Sequence, residues 1–400
     1  MKILMCHNHY QQPGGEDRVF DDECRLLESR GHQVIRFEKH NDALDGMSRL
    51  SMIKNTFRNA AAEGEVRDLI QKYRPDVLHC HNTFPLISPA VYRVAKNRGT
   101  AVVQTLHNYR LLCPAATLMR NGSVCEKCIS RSLAVPGIVR GCYRGSRAAT
   151  AVTAAMVFWH RLTKTWTDAV DRYIALTDFS REKFIQGGLP ADRICVKPNL
   201  AEPDPGVGRH RERCAVFAGR LSEEKGVQVL LKAWSLLQDD IPLKILGDGP
   251  LSDIVAAAAA ADSRISTFGH VDAEDVLRTA GDAALLVMPS VCYETFGRTI
   301  VEAFAVGTPV VASRTGAMQE LIRDGETGLL FDPGNADDLA EKVRQLWNSE
   351  DRRRCMGEAA RDDYERLYTA EPNYRRLIQI YEEAVADTGR KVTAPEPVPV

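Results

Sequence analysis

Twice along this chain, short apolar runs of strand length alternate with longer stretches of helical periodicity, and this rhythm restricts the fold more than any other feature. In the first series, strand candidates fall at Lys2–Cys6, Gln33–Phe37, Val77–Cys80, Ala101–Leu106 and Arg172–Leu176. Helices near Val19–Arg30, Val66–Tyr73 and Pro89–Arg98 separate several of them. The second series runs from Ala215 to Trp347. Such alternation builds parallel sheets covered on both faces, so the expected class is α/β with two doubly wound domains. Between the series, VKPNLAEPDPGVGRHRER is rich in proline, glycine and charge and reads as a linker. The expected domains are residues 1–200 and 201–368, then a helix at 369–387 and a disordered tail at 388–400.

The 400 residues provide ample chain for two cores. A net charge of −1 argues against a dedicated nucleic-acid binder. The start, MKILMC, reads as a first strand and not as a leader. No run approaches the roughly 20 apolar residues that span a bilayer, so the expectation is a cytoplasmic protein whose membrane contact is peripheral. Eleven cysteines in such a chain suggest reduced thiols or metal ligands before disulfides.

Candidate chemistry gathers where strands end. In MPSVCYETFGRTIVEAFAVGTPVVAS, Glu294 lies in the loop leaving a strand, and Glu302 lies two turns into the helix that follows. Carboxyl ends of parallel strands form the crevice where ligands bind, and Gly297, beside Phe296, lets backbone N–H groups approach one. Taken alone, the two glutamates read as solvated charges. Upstream, the apolar strand Cys214–Ala218 runs into GRLSEEKGVQVLLKAW, where Arg220 and Lys225 flank a turn and Gly226 opens a helix. Two cations at a helix start make a diphosphate cradle, although alone they read as partners of Glu223 and Glu224. Both segments in one strand–helix series favour the site. In the first domain, Gly14 and Gly15 form a turn before a helix, where N–H groups can face a phosphate. His107 follows the strand AVVQTL, and His79 and His81 end another.

GRLSEEKG, then LGDGP, FGHV and the two glutamates in that order resemble the donor-binding half of retaining glycosyltransferase family 4, the glycosyl transferases group 1. The resemblance covers nearly the whole chain. It implies GT-B architecture, two Rossmann-like domains facing a central cleft, with the helix around Tyr374–Tyr381 crossing back to the first domain. It implies retaining transfer from a nucleotide-diphosphate sugar to a glycan or lipid-linked acceptor, in polysaccharide or glycoconjugate biosynthesis. By the same resemblance Glu302 holds the nucleotide ribose, while Glu294, with N–H groups near Phe296 and Gly297, orients the sugar. His107 hydrogen-bonds the donor sugar, and Gly14 and Gly15 line the cleft opposite it. Arg220 and Lys225 stabilise the leaving diphosphate. Asn108 stands where many relatives carry aspartate. The chain has no D-x-D triplet, so catalysis without a divalent metal is expected. Two other classes stay open: a sugar-nucleotide epimerase of this architecture, and a zinc-bearing binding module without activity.

Cys125 and Cys128 have the C-x2-C spacing of structural zinc sites, with Cys113 and Cys142 available to complete four ligands; a redox pair at Cys125 and Cys128 is the alternative. The stretch Ser130–Trp166 holds six Arg/Lys, no acidic residue, and the aromatics Phe158, Trp159 and Trp166. That composition suits an anionic membrane surface, and also serves nucleic acid or a solvated face.

Overall fold

Strands buried on both faces read as unbroken apolar runs, and such strands lie inside the two large sheets of the chain, for example at residues 215–218, 285–288 and 310–313. The computed structural model describes residues 1–12, 14–209 and 212–389. In chain order the strands are β1 (Lys2–His9), β2 (Gln33–His40), β3 (Val77–Cys80), β4 (Ala101–Thr105), β5 (Met119–Arg120), β6 (Ser123–Val124), β7 (Arg172–Ala175) and β8 (Ile194–Val196). Then come β9 (Ala215–Ala218), β10 (Leu243–Leu246), β11 (Ile265–Thr267), β12 (Leu285–Met288), β13 (Val310–Ser313) and β14 (Gly328–Phe331). The first sheet has the order β2-β1-β3-β4-β7-β8 and the second β11-β10-β9-β12-β13-β14, each parallel throughout. A parallel pair needs a crossover, and the intervening helices supply it. In each sheet the strand order reverses once, between β1 and β3 and between β9 and β12. Those reversals are the topological switch points.

The chain divides into a first unit, residues 1–116, 127–200 and 370–400, and a second, residues 117–126 and 201–369. The first unit's core sets Ile3, Met5, Phe20, Val77 and Val103 against Leu377, Ile380 and Tyr381 of the helix Ala370–Ala386. The second unit's core centres on Phe217, Leu230, Trp234, Ile245, Val287 and Phe331.

Several boundaries differ from the sequence reading. β1 and β2 run on through polar residues to His9 and His40: buried partners take up β1's side chains, Asn8 Nδ2 donating to Asn41 Oδ1 at 2.9 Å and His7 meeting Asp17, and β2 follows in register beside them. Val196, read as linker, ends β8. The structure adds the helices Arg49–Phe57, Val135–Arg140, Arg147–Leu162 and Asp178–Gln186. The β5–β6 hairpin, which falls within the expected first domain of residues 1–200, belongs to the second unit. The expected tail lies outside the described residues from 390 onward.

Candidate active site

The second unit places its candidate residues at the switch point. β9 leads into Gly219–Gly226 and β12 into Pro289–Gly297, so two adjacent strands present their loops at the same sheet edge. Lys225 ends a short 3-10 turn, Glu223–Lys225, and Gly226 caps the helix Val227–Leu236 with φ +70°. A Cβ at Gly226 would strike the Pro289 carbonyl oxygen, so only glycine lets the loops pack this closely. The closeness brings Lys225 Nζ to 2.7 Å from Glu294 Oε1, to which Ser290 Oγ donates at 2.8 Å. Burial alone would depress the Lys225 ammonium; the Glu294 carboxylate outweighs it and holds its pKa above the ordinary value. Lys225 therefore does not pair with Glu223 or Glu224. Glu224 is tied into the loop by its own contacts, Ser222 Oγ donating to its carboxylate at 2.7 Å and Val291 N to its carbonyl at 3.0 Å. Arg220 is exposed on the same loop.

Glu302 sits one turn, not two, inside the helix Arg298–Ala305 and is buried, with Arg298 Nε donating to Oε1 at 2.9 Å. Gly297 opens that helix at φ +135°, a conformation open to glycine. Phe296 points inward: its ring packs edge-on against Tyr368 with centroids 6.1 Å apart. Its candidate contribution is therefore its backbone. Sequence reasoning missed Ser290 and Arg298. Arg298 was readable as an i,i+4 partner of Glu302, whereas Ser290 carries no pattern.

In the first unit, the switch point is occupied by the buried His79 and His81 and the half-buried His107. His81 Nδ1 lies 2.9 Å from His107 Nε2, and His79 bonds Tyr381 Oη at 2.7 Å and Thr105 Oγ1 at 2.8 Å. Glu23 lies beside His81 Nε2 at 3.3 Å and receives Lys197 Nζ at 2.7 Å, all three side chains fully buried. Burial, then the neighbouring His81, push the His79 and His107 pKa values well below the usual 6.5, so both rings are neutral. Burial pushes the Glu23 carboxyl up, but Lys197 and His81 overcome it and hold it well below the ordinary range. No sequence pattern pointed to Glu23 or Lys197.

Gly14 and Gly15 do not present a phosphate cradle. Gly14 caps the helix Gly15–Ser29, and its N–H donates to Asp17 Oδ2 at 2.6 Å. Asp17 also takes His7 Nε2 at 2.7 Å, and together with Glu16 it puts two carboxylates on the helix's first turn, where they repel an anion. Asn108 has a physical reason. Its Nδ2 donates at 3.2 Å to Glu16, a carboxyl whose pKa burial raises; an aspartate there would set two carboxylates together.

The cysteines do not form a tetrathiolate cage as they stand. Among the described residues, three or more ligand atoms within 4.8 Å of one another occur only at His7/His9/Asp17 and at Glu23/His79/His81. Cys125 belongs to the second unit, and Cys113, Cys128 and Cys142 of the first are not gathered. A zinc-bound quartet requires sulfurs roughly 2.3 Å from one metal, and this arrangement does not fit it.

Solved structures share the fold over nearly the whole chain. Anabaena Alr3699/HepE in complex with UDP superposes with a TM-score of 0.68 at 17% identity, covering 95% of this chain and 99% of that one. Sucrose-phosphate synthase from Thermosynechococcus elongatus gives 0.72 at 17% identity, covering 97% and 100%. The fold is therefore GT-B, built from two Rossmann-like α/β units. Residues 203–363 match the family described as Glycosyl transferases group 1, and residues 13–200 the Glycosyl transferase 4-like domain. A phosphatidyl-myo-inositol mannosyltransferase from Mycobacterium leprae is 30% identical over 258 residues, 61% of this chain and 67% of that protein. A D-inositol 3-phosphate glycosyltransferase from Arthrobacter sp. is 38% identical over 156 residues, 36% of this chain. The chain spans 37% of the Arthrobacter protein's length, and 47% of that of an uncharacterized glycosyltransferase from Methanocaldococcus jannaschii. The chain belongs to the glycosyl transferases group 1 family.

Proposed function

We propose that this chain is a glycosyltransferase that moves a sugar from a nucleotide-diphosphate donor to a glycan or lipid-linked acceptor, with retention and without a catalytic metal. Its setting would be polysaccharide or glycoconjugate biosynthesis at the cytoplasmic face of a membrane. The observation that carries this reading is the Lys225–Glu294 pair at the second unit's switch point, on whose loop Arg220 is exposed. In this reading the cations meet the leaving diphosphate and the carboxylate meets sugar hydroxyls. The HepE structures hold UDP or UDP-glucose, and the Mycobacterium relative is named for transfer to an inositol lipid; both names support this donor and acceptor class.

In the reaction, the anomeric C–O bond to the diphosphate breaks, and the acceptor hydroxyl forms its bond from the same face. The hydroxyl proton passes to the departing phosphate oxygen. Arg220 and Lys225 stabilise the charge that develops there, the term that usually dominates such catalysis. Glu294 orients the sugar hydroxyls and Glu302 the ribose. In the first unit, neutral His107 is the proposed hydrogen-bond partner of a sugar hydroxyl. Proton NMR of the product formed with EDTA present tests the reading. An anomeric configuration matching the donor, at an undiminished rate, is expected. Inversion, or activity restored only by added Mg²⁺ or Mn²⁺, would contradict it.

A further inference from the structure

A line of three side chains at the first unit's switch point, Glu23, His81 and His107, ends on the ring proposed to meet the sugar. Its first two members have no part in the reaction described above. His81 Nδ1 lies 2.9 Å from His107 Nε2. The rings are 27° from coplanar with centroids 5.0 Å apart, so the two nitrogens meet edge to edge, in the plane where an N–H and a lone pair both lie. Such a contact is a hydrogen bond only if one nitrogen carries a proton and the other a lone pair. Burial lowers the pKa of both rings, so each holds a single proton, and what matters is which nitrogen holds it.

The far end of the line decides that. Lys197 Nζ gives its three donors to Glu23 Oε1 at 2.7 Å, Asn373 Oδ1 at 3.2 Å and the Pro198 carbonyl oxygen at 3.3 Å. Against the pull of burial, the Lys197 charge keeps Glu23 ionised, and an ionised carboxylate can only accept. Glu23 Oε2 is buried with no hydrogen bond of its own, and so is His81 Nε2, 3.3 Å away. A proton on His81 Nε2 gives each of these atoms a partner; a lone pair there would leave both without one. His79, the other ring near that oxygen, stands 3.8 Å off and spans Tyr381 Oη and Thr105 Oγ1, two hydroxyls that can turn to suit either tautomer. His81, by contrast, is held by a group that cannot reverse its polarity. A metal ion does not suit these residues, since Lys197 already supplies the cation and both His79 nitrogens are engaged.

We propose that Glu23 and His81 are positioning residues that set the tautomer of His107. The carboxylate fixes the His81 proton on Nε2, His81 Nδ1 accepts from His107 Nε2–H, and His107 keeps its lone pair on Nδ1, where it accepts from a hydroxyl of the donor sugar. The proposal deepens the role given to His107, and its last step rests on that reading. It also restricts the group that His107 meets: a hydroxyl fits, whereas a carboxylate or carbonyl oxygen would set one lone pair against another.

Long-range proton–nitrogen correlation spectra of the isotope-labelled full chain, without ligand, report the tautomer of each ring. His81→Gln and His107→Gln identify the two rings among the ten histidines. Both should be protonated at Nε2. Glu23→Gln makes a sharper demand. Lys197 still requires an acceptor, so the amide should turn its oxygen to Lys197 and its NH2 to His81 Nε2, and both rings should switch to Nδ1–H. A wild-type His107 protonated at Nδ1, or a folded Glu23→Gln protein whose rings keep the wild-type tautomers, would overturn the proposal. If Glu23→Gln does not fold, His81 decides. His81→Gln, whose amide again offers a donor and an acceptor, should hold His107 at Nε2–H, whereas His81→Leu should leave that ring exchanging between tautomers; one fixed tautomer in both would equally overturn it. Saturation with UDP-glucose, or with whichever nucleotide sugar of a panel binds, tests the last step. The His107 Nδ1 resonance should move upfield as it accepts a hydroxyl, and a bound donor that leaves it unmoved would remove that step. A panel in which no nucleotide sugar binds would refute the enzymatic reading instead, with the tautomers standing as measured.

Discussion

A lysine–glutamate pair at 2.7 Å lies in each unit, and the two pairs live in opposite surroundings. Lys197–Glu23 is sealed from water, and its lysine also donates to Asn373 Oδ1 at 3.2 Å. Lys225–Glu294 lies at the sheet edge with 30% and 16% of its side chains exposed. A sealed pair has nowhere to go: each ion depends on the other, and the cost of removing one is the cost of a naked buried charge. An open pair can be parted by a ligand, and in the proposed reaction the diphosphate would take the ammonium and sugar hydroxyls the carboxylate. The comparison teaches that the first pair holds structure and the second is available for chemistry.

The sharpest way to break that comparison is to remove each lysine and measure stability and turnover. Lys197→Met should cost about 3–5 kcal/mol in urea unfolding, since Glu23 would stay buried without its cation. Glu23→Gln/Lys197→Met together should recover most of it. Lys225→Met should change stability by no more than about 1 kcal/mol. Equal losses at the two sites would erase the distinction.

Turnover should divide the sites the other way. Arg220→Ala and Lys225→Ala should each lower kcat/KM on the order of 10²-fold, because contacts to a leaving group strengthen in the transition state. Initial rates near wild type in both variants, with the fold intact, would remove the cradle.

Acid should act on the first unit before the second. His79, His81 and His107 have pKa values lowered from the usual 6.5, chiefly by burial, so the unfolded chain takes up protons that the fold refuses. Their contribution is complete above about pH 6.5 and is lost as pH falls from there. Glu23, held below its ordinary 4.5, extends the loss further down. Urea midpoints should therefore drop between about pH 7.5 and about pH 5.5, and a flat profile would mean these rings are not buried neutral.

The smallest expected effect concerns the cysteines. Protein purified without added metal should carry zinc near background by elemental analysis. One zinc per chain would show that residues 113–142 close around a metal in a way this arrangement does not hold.

How much was legible follows from the range of each interaction. β12 and β13 are buried along their whole length, so their apolar runs stand out without any partner being known. Arg220, Lys225, Glu294 and Glu302 could be singled out as candidates because motif spacing survives in one dimension, and the structure puts all four in the segments that leave β9 and β12. Lys197 and Glu23 are 174 residues apart, and Lys197 lies in a proline-rich stretch that reads as linker; only the folded sheet joins them. Phe296 was read through its backbone N–H, and the packing of its ring against Tyr368 could not be read at all, because sequence shows a residue's position on a loop and not the direction of its side chain. Gly14 does precede a helix as its sequence suggests, but a local signal went unread: Asp17, three residues on, takes the Gly14 N–H that would have faced a phosphate.

The central claim is that the second unit binds the donor in two parts, ribose at Glu302 and sugar at Glu294. Isothermal titration of product nucleoside diphosphates into Glu302→Ala and Glu294→Ala tests it most directly. Glu302→Ala should lose roughly tenfold or more in affinity, as for a hydrogen bond to a charged group, while Glu294→Ala binds the product as wild type does and fails only in transfer. Equal loss of product affinity in both variants would contradict the division and make the two glutamates one electrostatic unit.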